Sequence, residues 1–272
     1  MTISILGCGW LGFPLATYLR SKNYIVKGST TTAAKLDAMI SCGIQSYLID
    51  IQADSNFEID AAQKEFFNAD VLVINIPPNV RVENDVDNFL KKIMNITQNA
   101  IQQETQKIIF VSSTSVYSNN DQIVTEFDMP KPETFSGKAL FEAENYLKSL
   151  RNLKVAIVRP SGLIGEGRTG ANFFLSQNTV FGGKNPINVI HQKDVIEIIY
   201  QIILQNKWNE SFNLATDSHP SKEDFYSLQC KKENKNAPNF DHSTPTTYKI
   251  ISNQKLKLVL DYSLQFPNPL DF

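Results

Sequence analysis

The chain has 272 residues, of which 42% are hydrophobic and 20% charged, and its formal net charge is −2. This is the composition of an ordinary globular protein, and the lack of a basic excess argues against nucleic acid or an anionic membrane surface as a partner. Three cysteines without a CxxC pair and three scattered histidines indicate neither a disulfide framework nor a metal site.

The N-terminal residues MTISILG lack the basic segment of a signal peptide. No apolar run approaches the roughly 20 residues that a membrane span needs. We therefore expect a cytoplasmic protein with no membrane association, whose apolar start is a buried strand.

Short apolar runs alternate with amphipathic stretches along the first part of the chain. The predicted strands are 3–6, 24–28, 46–50, 71–76, 107–112 and 155–159. The helices predicted from a 3.6-residue apolar period are 84–102, 138–150 and 194–205. This alternation predicts an α/β fold: a Rossmann-type doubly wound parallel sheet with helices on both faces.

The strand–helix rhythm breaks after about residue 165. We expect residues 1–165 to form the Rossmann domain and residues 166–272 to form a smaller α/β lobe that binds the substrate. The substrate cleft is predicted between residues 166 and 245, and helix 194–205 is predicted to pack back on the Rossmann domain.

The stretch ILGCGWLG carries Gly7, Gly9 and Gly12 between the first predicted strand and a helix-like run. In a dinucleotide-binding loop the first glycine permits a tight turn and the second lets the backbone approach the pyrophosphate. The third lets helix and strand pack closely. Trp10 and Leu11 belong to the same loop, whose N–H groups would face the phosphates. A purely structural glycine turn is the alternative.

The second predicted strand runs into the residues GSTTT, without a carboxylate. An acid at this place bonds the ribose hydroxyls of NAD, whereas hydroxyls and the nearby Lys35 suit the 2′-phosphate of NADP. We therefore predict NADP in preference to NAD, bound by Ser29, Thr30 and Thr31, with a plain loop as the alternative. Asp50, which ends the next strand, either touches the adenine or caps a turn.

Further motifs follow in order: KIIFVSSTSVY (107–117), VRPSGLIGEGR (158–168) and INVIHQKDVIEII (187–199). Together with the glycines they resemble the short-chain dehydrogenase/reductase superfamily, in its extended branch of NAD(P)-dependent epimerases and dehydratases. INIPPNVR (74–81) and KIISNQKL (249–256) look like an atypical epimerase-like subgroup of it.

The resemblance implies additional site residues. Those that it places at the cofactor are Ile76, Pro77, Pro78 and Ser112. Those that it places in the substrate cleft are Arg159, Arg168 and His191, with a strand exit as the alternative for Arg159 and a structural role for His191. The candidate catalytic residues are Ser113, which would bond the substrate carbonyl, Tyr117 and Lys138. Packing beside the nicotinamide is the alternative for Tyr117, and an exposed helix face for Lys138.

The Tyr-x-x-x-Lys pair of the family is missing from PETFSGKALFEAENYL (132–147). Aligning on the two glutamates puts Ser136 and Leu140 at the pair's positions, and aligning on Lys138 puts Thr134 at the tyrosine. A serine or threonine hydroxyl titrates well above a phenol, so the lost proton transfer costs roughly 10²–10⁴ in rate.

These observations predict an NAD(P)-binding, epimerase/dehydratase-like oxidoreductase acting on a small molecule, with a sugar or nucleotide sugar suggested by the resemblance. A non-catalytic NAD(P)-binding redox sensor or regulatory protein is the alternative. A hydroxyacid-dehydrogenase-type reductase is a third reading, against which SSTSVY argues. The apolar faces of 84–102 and 138–150 either pair in a homodimer or cover the sheet.

Overall fold

The computed structural model describes residues 1–53, 60–171 and 179–272. Its strands, numbered in chain order, are β1 Thr2–Leu6, β2 Ile25–Thr30, β3 Gln45–Leu48, β4 Val71–Ile74, β5 Lys107–Val111, β6 Gln122–Val124, β7 Lys154–Pro160, β8 Gly162–Ile164, β9 Thr179–Phe181, β10 Val189–His191, β11 Ser211–Leu214, β12 Asn239–Asp241 and β13 Lys249–Ile251. Its helices are α1 Gly12–Ser21, α2 Leu36–Ser41, α3 Ala61–Phe67, α4 Asn84–Gln102, α5 Phe135–Ser149, α6 Gln192–Leu204, α7 Lys222–Lys232 and α8 Gln254–Leu260.

Seven parallel strands of this described part form the central sheet in the order β3-β2-β1-β4-β5-β7-β11. The interior strands are apolar because both faces are covered, and all four residues of β4 are buried. The predicted Rossmann-type α/β fold is confirmed, and each predicted strand corresponds to a strand of this sheet. The strand order reverses between β1 and β4, where open α/β sheets bind their ligands at the carboxyl ends.

Helices cover the two faces of the sheet. On one face α1 and α6 share a core with β1, in which Leu15 packs with Ile198 and Ile199. On the other face α4 and α5 pack through residues such as Phe89 and Leu147. The predicted helix 194–205 corresponds to α6, which shares the core of this face. The apolar faces of α4 and α5 cover the sheet, and a homodimer stays a prediction.

Helix α5 begins three residues before the predicted start, at Phe135. The reason is Thr134, whose hydroxyl accepts a hydrogen bond of 3.0 Å from the Gly137 N–H and caps the first turn. This cap places residues 136–140 on the helix, beside the carboxyl ends of the strands.

Short parallel pairs lie outside the central sheet: β8 with β10, β9 with β12 and β6 with β13. Strand β11 instead joins the central sheet beside β7, so residue 165 does not mark the end of that sheet. The division into two domains stays a prediction. The part of the predicted cleft at 172–178 lies outside the described residues. None of the helices in the described ranges combines the length and apolar character of a bilayer span.

Candidate functional site

A cavity of about 950 Å³ opens at the carboxyl ends of β1, β2 and β4, where the strand order reverses. Nearly all residues predicted to bind the cofactor line it: Gly7, Gly9, Trp10, Leu11, Ser29, Thr30, Thr31, Asp50, Ile76, Pro77, Pro78 and Ser112. The remaining one, Gly12, is buried at the start of α1. The geometry thus brings residues from five separate places in the sequence together at one cavity.

Two of the three glycines are required by close backbone packing. Gly7 has φ +101°, and a Cβ there would lie 2.5 Å from the carbonyl oxygen of Asn75. A Cβ on Gly12 would lie 2.1 Å from the Gly7 carbonyl oxygen. The Asn75 amide donates to that same oxygen at 3.0 Å, and Ser29 Oγ accepts from the Gly7 N–H at 3.1 Å. The loop is therefore fixed to the ends of β2 and β4.

Gly9 differs from Gly7 and Gly12, because a Cβ there would meet no atom of the described residues within 4 Å. It is exposed and lines the cavity just before α1. The residue before α1, Leu11, offers no side-chain cap to the first N–H groups of the helix. Open space at an uncapped helix N-terminus fits the pyrophosphate of a dinucleotide.

At one end of the cavity, Thr30 at the end of β2 and Thr31 and Lys35 after it line the wall. Asp50 lines the same region after β3. Lys92 of α4 also lines the cavity, and sequence reasoning missed it because nothing in an amphipathic helix shows which lysine faces a ligand. Both a cationic and an acidic side chain are therefore available to an adenosine ribose.

Trp10 connects the glycine loop to later segments of the chain. Its indole N–H donates to the Glu166 carbonyl at 2.8 Å, and its carbonyl accepts from the Gln192 side chain at 2.6 Å. The Arg168 guanidinium lies over its ring, 5.3 Å from the centroid, and lines the cavity. Arg168, predicted in the substrate cleft, is therefore placed beside the glycine loop.

A second pocket of about 760 Å³ adjoins the other end of the cavity, and both are lined by Ser113 and Leu140. Ser115, Ser136 and Arg81 also line this second pocket. Ser136 Oγ donates to the Val80 carbonyl at 3.1 Å, which holds the start of α5 against the loop after β4. We call this the serine end, and the region of Gly7–Gly12 the glycine end.

A buried ion pair lies under the serine end. The carboxylate of Glu144, on α5, is fully buried; it accepts from Ser112 Oγ at 2.6 Å and from Arg159 Nε at 2.9 Å. Arg159 is only 2% exposed, so the structure differs from its predicted place in the substrate cleft. The Glu144 carboxylate offsets the free-energy cost of burying the charge of this arginine.

Tyr117 and Lys138 are also placed differently from the catalytic prediction. The Tyr117 hydroxyl is buried, donates to Asn213 Oδ1 at 3.0 Å and accepts from Arg159. Burial, only partly offset by the charge of Arg159, raises the pKa of Tyr117, which disfavours proton release. Lys138 is exposed, with Nζ over the Phe135 ring and away from both pockets.

His191 has a structural position at the start of α6. Its Nδ1 accepts from the Lys193 N–H at 3.2 Å, and its ring stacks on Phe266 with 3.8 Å between centroids. Asp194, in the first turn of this helix, accepts from the Tyr262 hydroxyl at 2.6 Å and from backbone N–H groups of the C-terminal segment. Neither residue lines the cavity. Within the described ranges no cluster of His, Cys, Asp and Glu could hold a metal ion.

A family model and a curated relative match most of the chain. Residues 9–206 match the model of a family described as NAD(P)H-binding. Protein YeeZ of Escherichia coli strain K12 is 32% identical over 269 residues, which are 98% of this chain and 97% of that protein.

Solved structures show the same fold. A UDP-glucose 4-epimerase of Thermotoga maritima with UDP-glucose has a TM-score of 0.80 at 18% identity, covering 97% of this chain and 94% of that one. A UDP-glucuronic acid 4-epimerase of Bacillus cereus with NAD has a TM-score of 0.79 at 20% identity, covering 98% and 92%. At these identities the likeness is one of fold alone.

Proposed function

Since this chain belongs to the NAD(P)H-binding family and has an epimerase/dehydratase-like fold, we propose that it is an NAD(P)-dependent oxidoreductase that prefers NADP to NAD. The observation that carries the proposal is the open space beside Gly9 at the uncapped N-terminus of α1. A pyrophosphate placed there would receive hydrogen bonds from backbone N–H groups.

Different residues around the cavity would bind different parts of the cofactor. The N–H groups of Trp10 and Leu11 would hold the pyrophosphate, and Asp50 would lie at the adenine. Thr31 and Lys35 would bind the 2′-phosphate that distinguishes NADP from NAD. When bound, the nicotinamide supplies hydride transfer.

The serine end would hold the substrate next to the nicotinamide. Ser113 would donate to a substrate carbonyl, while Ser115, Ser136 and Arg81 supply further polar contacts in the second pocket. Hydroxyls and one guanidinium suit a polyhydroxylated substrate with an anionic group, such as a sugar phosphate or nucleotide sugar. The structural neighbours named for UDP-sugars support this substrate class.

Proton transfer is the weak step of the proposed reaction. Ser136 and Leu140 line the second pocket on successive turns of α5, which favours the alignment that puts them at the tyrosine and lysine positions. An aliphatic side chain cannot lower the pKa of a neighbouring hydroxyl as a lysine does. We expect turnover roughly 10²–10⁴ below that of an enzyme with the pair.

A non-catalytic NAD(P)-binding sensor is the second candidate. The observation in its favour is that Tyr117 and Lys138, which could have replaced the missing acid, both lie away from the cavity. The two functions share the cofactor site and differ only in whether bound NADPH is consumed.

Fluorescence titration with NADPH and NADH tests the cofactor proposal. We expect the purified chain to bind NADPH more tightly. Equal affinities contradict the NADP preference, and binding of neither contradicts the proposed function. The variant Gly9→Val should fold normally, because a Cβ at Gly9 meets nothing within 4 Å, yet lose binding because the added methyls fill the pyrophosphate space.

Absorbance at 340 nm with a panel of keto sugars and nucleotide sugars then separates enzyme from sensor. Turnover that Ser113→Ala removes while NADPH still binds supports the enzyme. Tight binding without turnover of any compound in the panel supports the sensor.

A further inference from the structure

The turn after β8 is held against the glycine loop by contacts on both sides. The backbones of Gly165 and Arg168 exchange two hydrogen bonds of 3.0 Å, which close the turn. A Cβ on Gly165 would lie 2.8 Å from Gln192 Cβ and 3.1 Å from Trp10 Cζ2. The backbone of this turn therefore packs against Trp10 at a distance that leaves no room for a side chain. The indole N–H of Trp10 donates to Glu166 within the turn.

This turn carries a cation to the cavity. Arg168 lines the same cavity as Gly9, and its guanidinium lies over the Trp10 ring. Trp10 directly follows Gly9 in the loop that leads into α1, so the guanidinium and this loop line one cavity. Among the lining residues that the structure describes, the other two cations are Lys35, which follows β2, and Lys92, on α4.

Electrostatics favour an anionic ligand between these groups. Arg168 is exposed, but partial desolvation by its neighbours lowers its pKa, so its charge gains from a nearby anion. The helix N-terminus is also positive, so an anion placed between it and the Arg168 guanidinium interacts favourably with both. A guanidinium binds phosphate oxygens through two parallel hydrogen bonds, which a lysine cannot do.

We propose that Arg168 binds the pyrophosphate of the dinucleotide opposite the N-terminus of α1, with Trp10 holding its guanidinium in place. The inference rests on the proposed cofactor function. It means that the glycine loop alone does not complete the phosphate site, since a residue from beyond β8 supplies its side-chain cation.

Calorimetric titration of Arg168→Gln tests this with three probes: NADPH, ADP-ribose and adenosine 2′-monophosphate. The first two contain the pyrophosphate, and the third does not. We expect roughly 10- to 100-fold weaker binding of NADPH and ADP-ribose, the range for losing a charged hydrogen bond, and unchanged binding of the monophosphate. The affinity of Arg168→Lys for NADPH and ADP-ribose should lie between those of Arg168→Gln and the natural chain.

Arg151→Gln is the matched control, because Arg151 is exposed and lines neither pocket. A second readout uses the Trp208→Phe background, in which Trp10 is the remaining tryptophan. There, ADP-ribose should change the Trp10 emission, and Arg168→Gln should shift that response to higher concentrations.

Unchanged affinity of Arg168→Gln for ADP-ribose overturns the inference and leaves the proposed function standing. Equal weakening of all three probes also overturns it, because the variant would then have disturbed the whole cavity. If the natural chain binds neither NADPH nor ADP-ribose, the proposed function itself fails.

Discussion

The glycine end and the serine end of the cavity are built in different ways. At the glycine end the wall is backbone, which packs closely because Gly7 and Gly12 have no side chains. At the serine end the wall is held from below by Glu144 and Arg159, which lie on α5 and β7. A binding surface made of backbone is determined by a short sequence motif. A surface supported by a buried ion pair depends on residues distant in the sequence.

The largest effect should come from breaking the support of the serine end. Glu144→Ala leaves Arg159 as a buried charge without its partner and removes the acceptor of Ser112. We expect the free energy of unfolding to fall by about 3–5 kcal/mol, measured by urea denaturation followed by circular dichroism.

The matched control is Glu142→Ala on the same helix, where the side chain is exposed. Its stability should stay within about 0.5 kcal/mol of the natural chain. A loss below about 1 kcal/mol for Glu144→Ala would show that the ion pair does not support the serine end.

A smaller effect should separate two glycines of the same motif. Gly12→Ala places a Cβ 2.1 Å from the Gly7 carbonyl oxygen, so the loop or α1 must shift. We expect a loss of roughly 1–3 kcal/mol in unfolding free energy, as for other overpacked sites. Gly9→Ala is the control, since its Cβ has open space, and thermal denaturation should show no change. Equal losses in both variants would contradict the distinct roles of the two glycines.

The smallest effect should be a pH dependence at the start of α6, the helix whose Gln192 holds Trp10. Burial lowers the pKa of His191 below its usual 6.5, with Asp194 opposing this shift. The unfolded chain therefore takes up the proton first. The stabilisation is complete above about pH 6.5 and is lost as the pH falls below it.

Protonation of His191 Nδ1 would also break the hydrogen bond that this atom accepts from the Lys193 N–H. The effect should be below about 1 kcal/mol, the size of a helix cap. Urea denaturation between pH 7.5 and 5.5 checks it: His191→Gln should lose less stability over this range than the natural chain. A parallel decline in both would exclude His191 as the cause.

Much of the fold follows from sequence pattern. Strands such as β4 and β5 are continuous apolar runs, and α4 was predicted with the bounds that it has. The three-residue strands β6, β8, β9, β10, β12 and β13 were missed, because such short pairings come from tertiary contacts and leave no period in the sequence. Strand β11 was missed because its sequence SFNL alternates polar and apolar residues and so forms no continuous apolar run.

The site was predictable to a different extent at its two ends. The spacing of the glycines identifies the backbone segment that contacts a phosphate, so the glycine end could be predicted from the sequence. A lone polar residue in an apolar strand does not show which way it points. Arg159 was therefore assigned to a cleft although it pairs with Glu144, fifteen residues earlier. Arg168 was read as a cleft residue because nothing in the sequence shows that its turn folds over Trp10.

Strand β11 completes the central sheet from residues 211–214, far along the chain from its neighbour β7. Until those residues leave the ribosome, β7 presents an unpaired and largely apolar edge, which is the kind of edge that recruits other chains. The parallel pairing also joins segments distant in sequence, a topology that folds slowly. A fragment ending at residue 165 should therefore aggregate, and the newly made chain depends on its second half to protect the first.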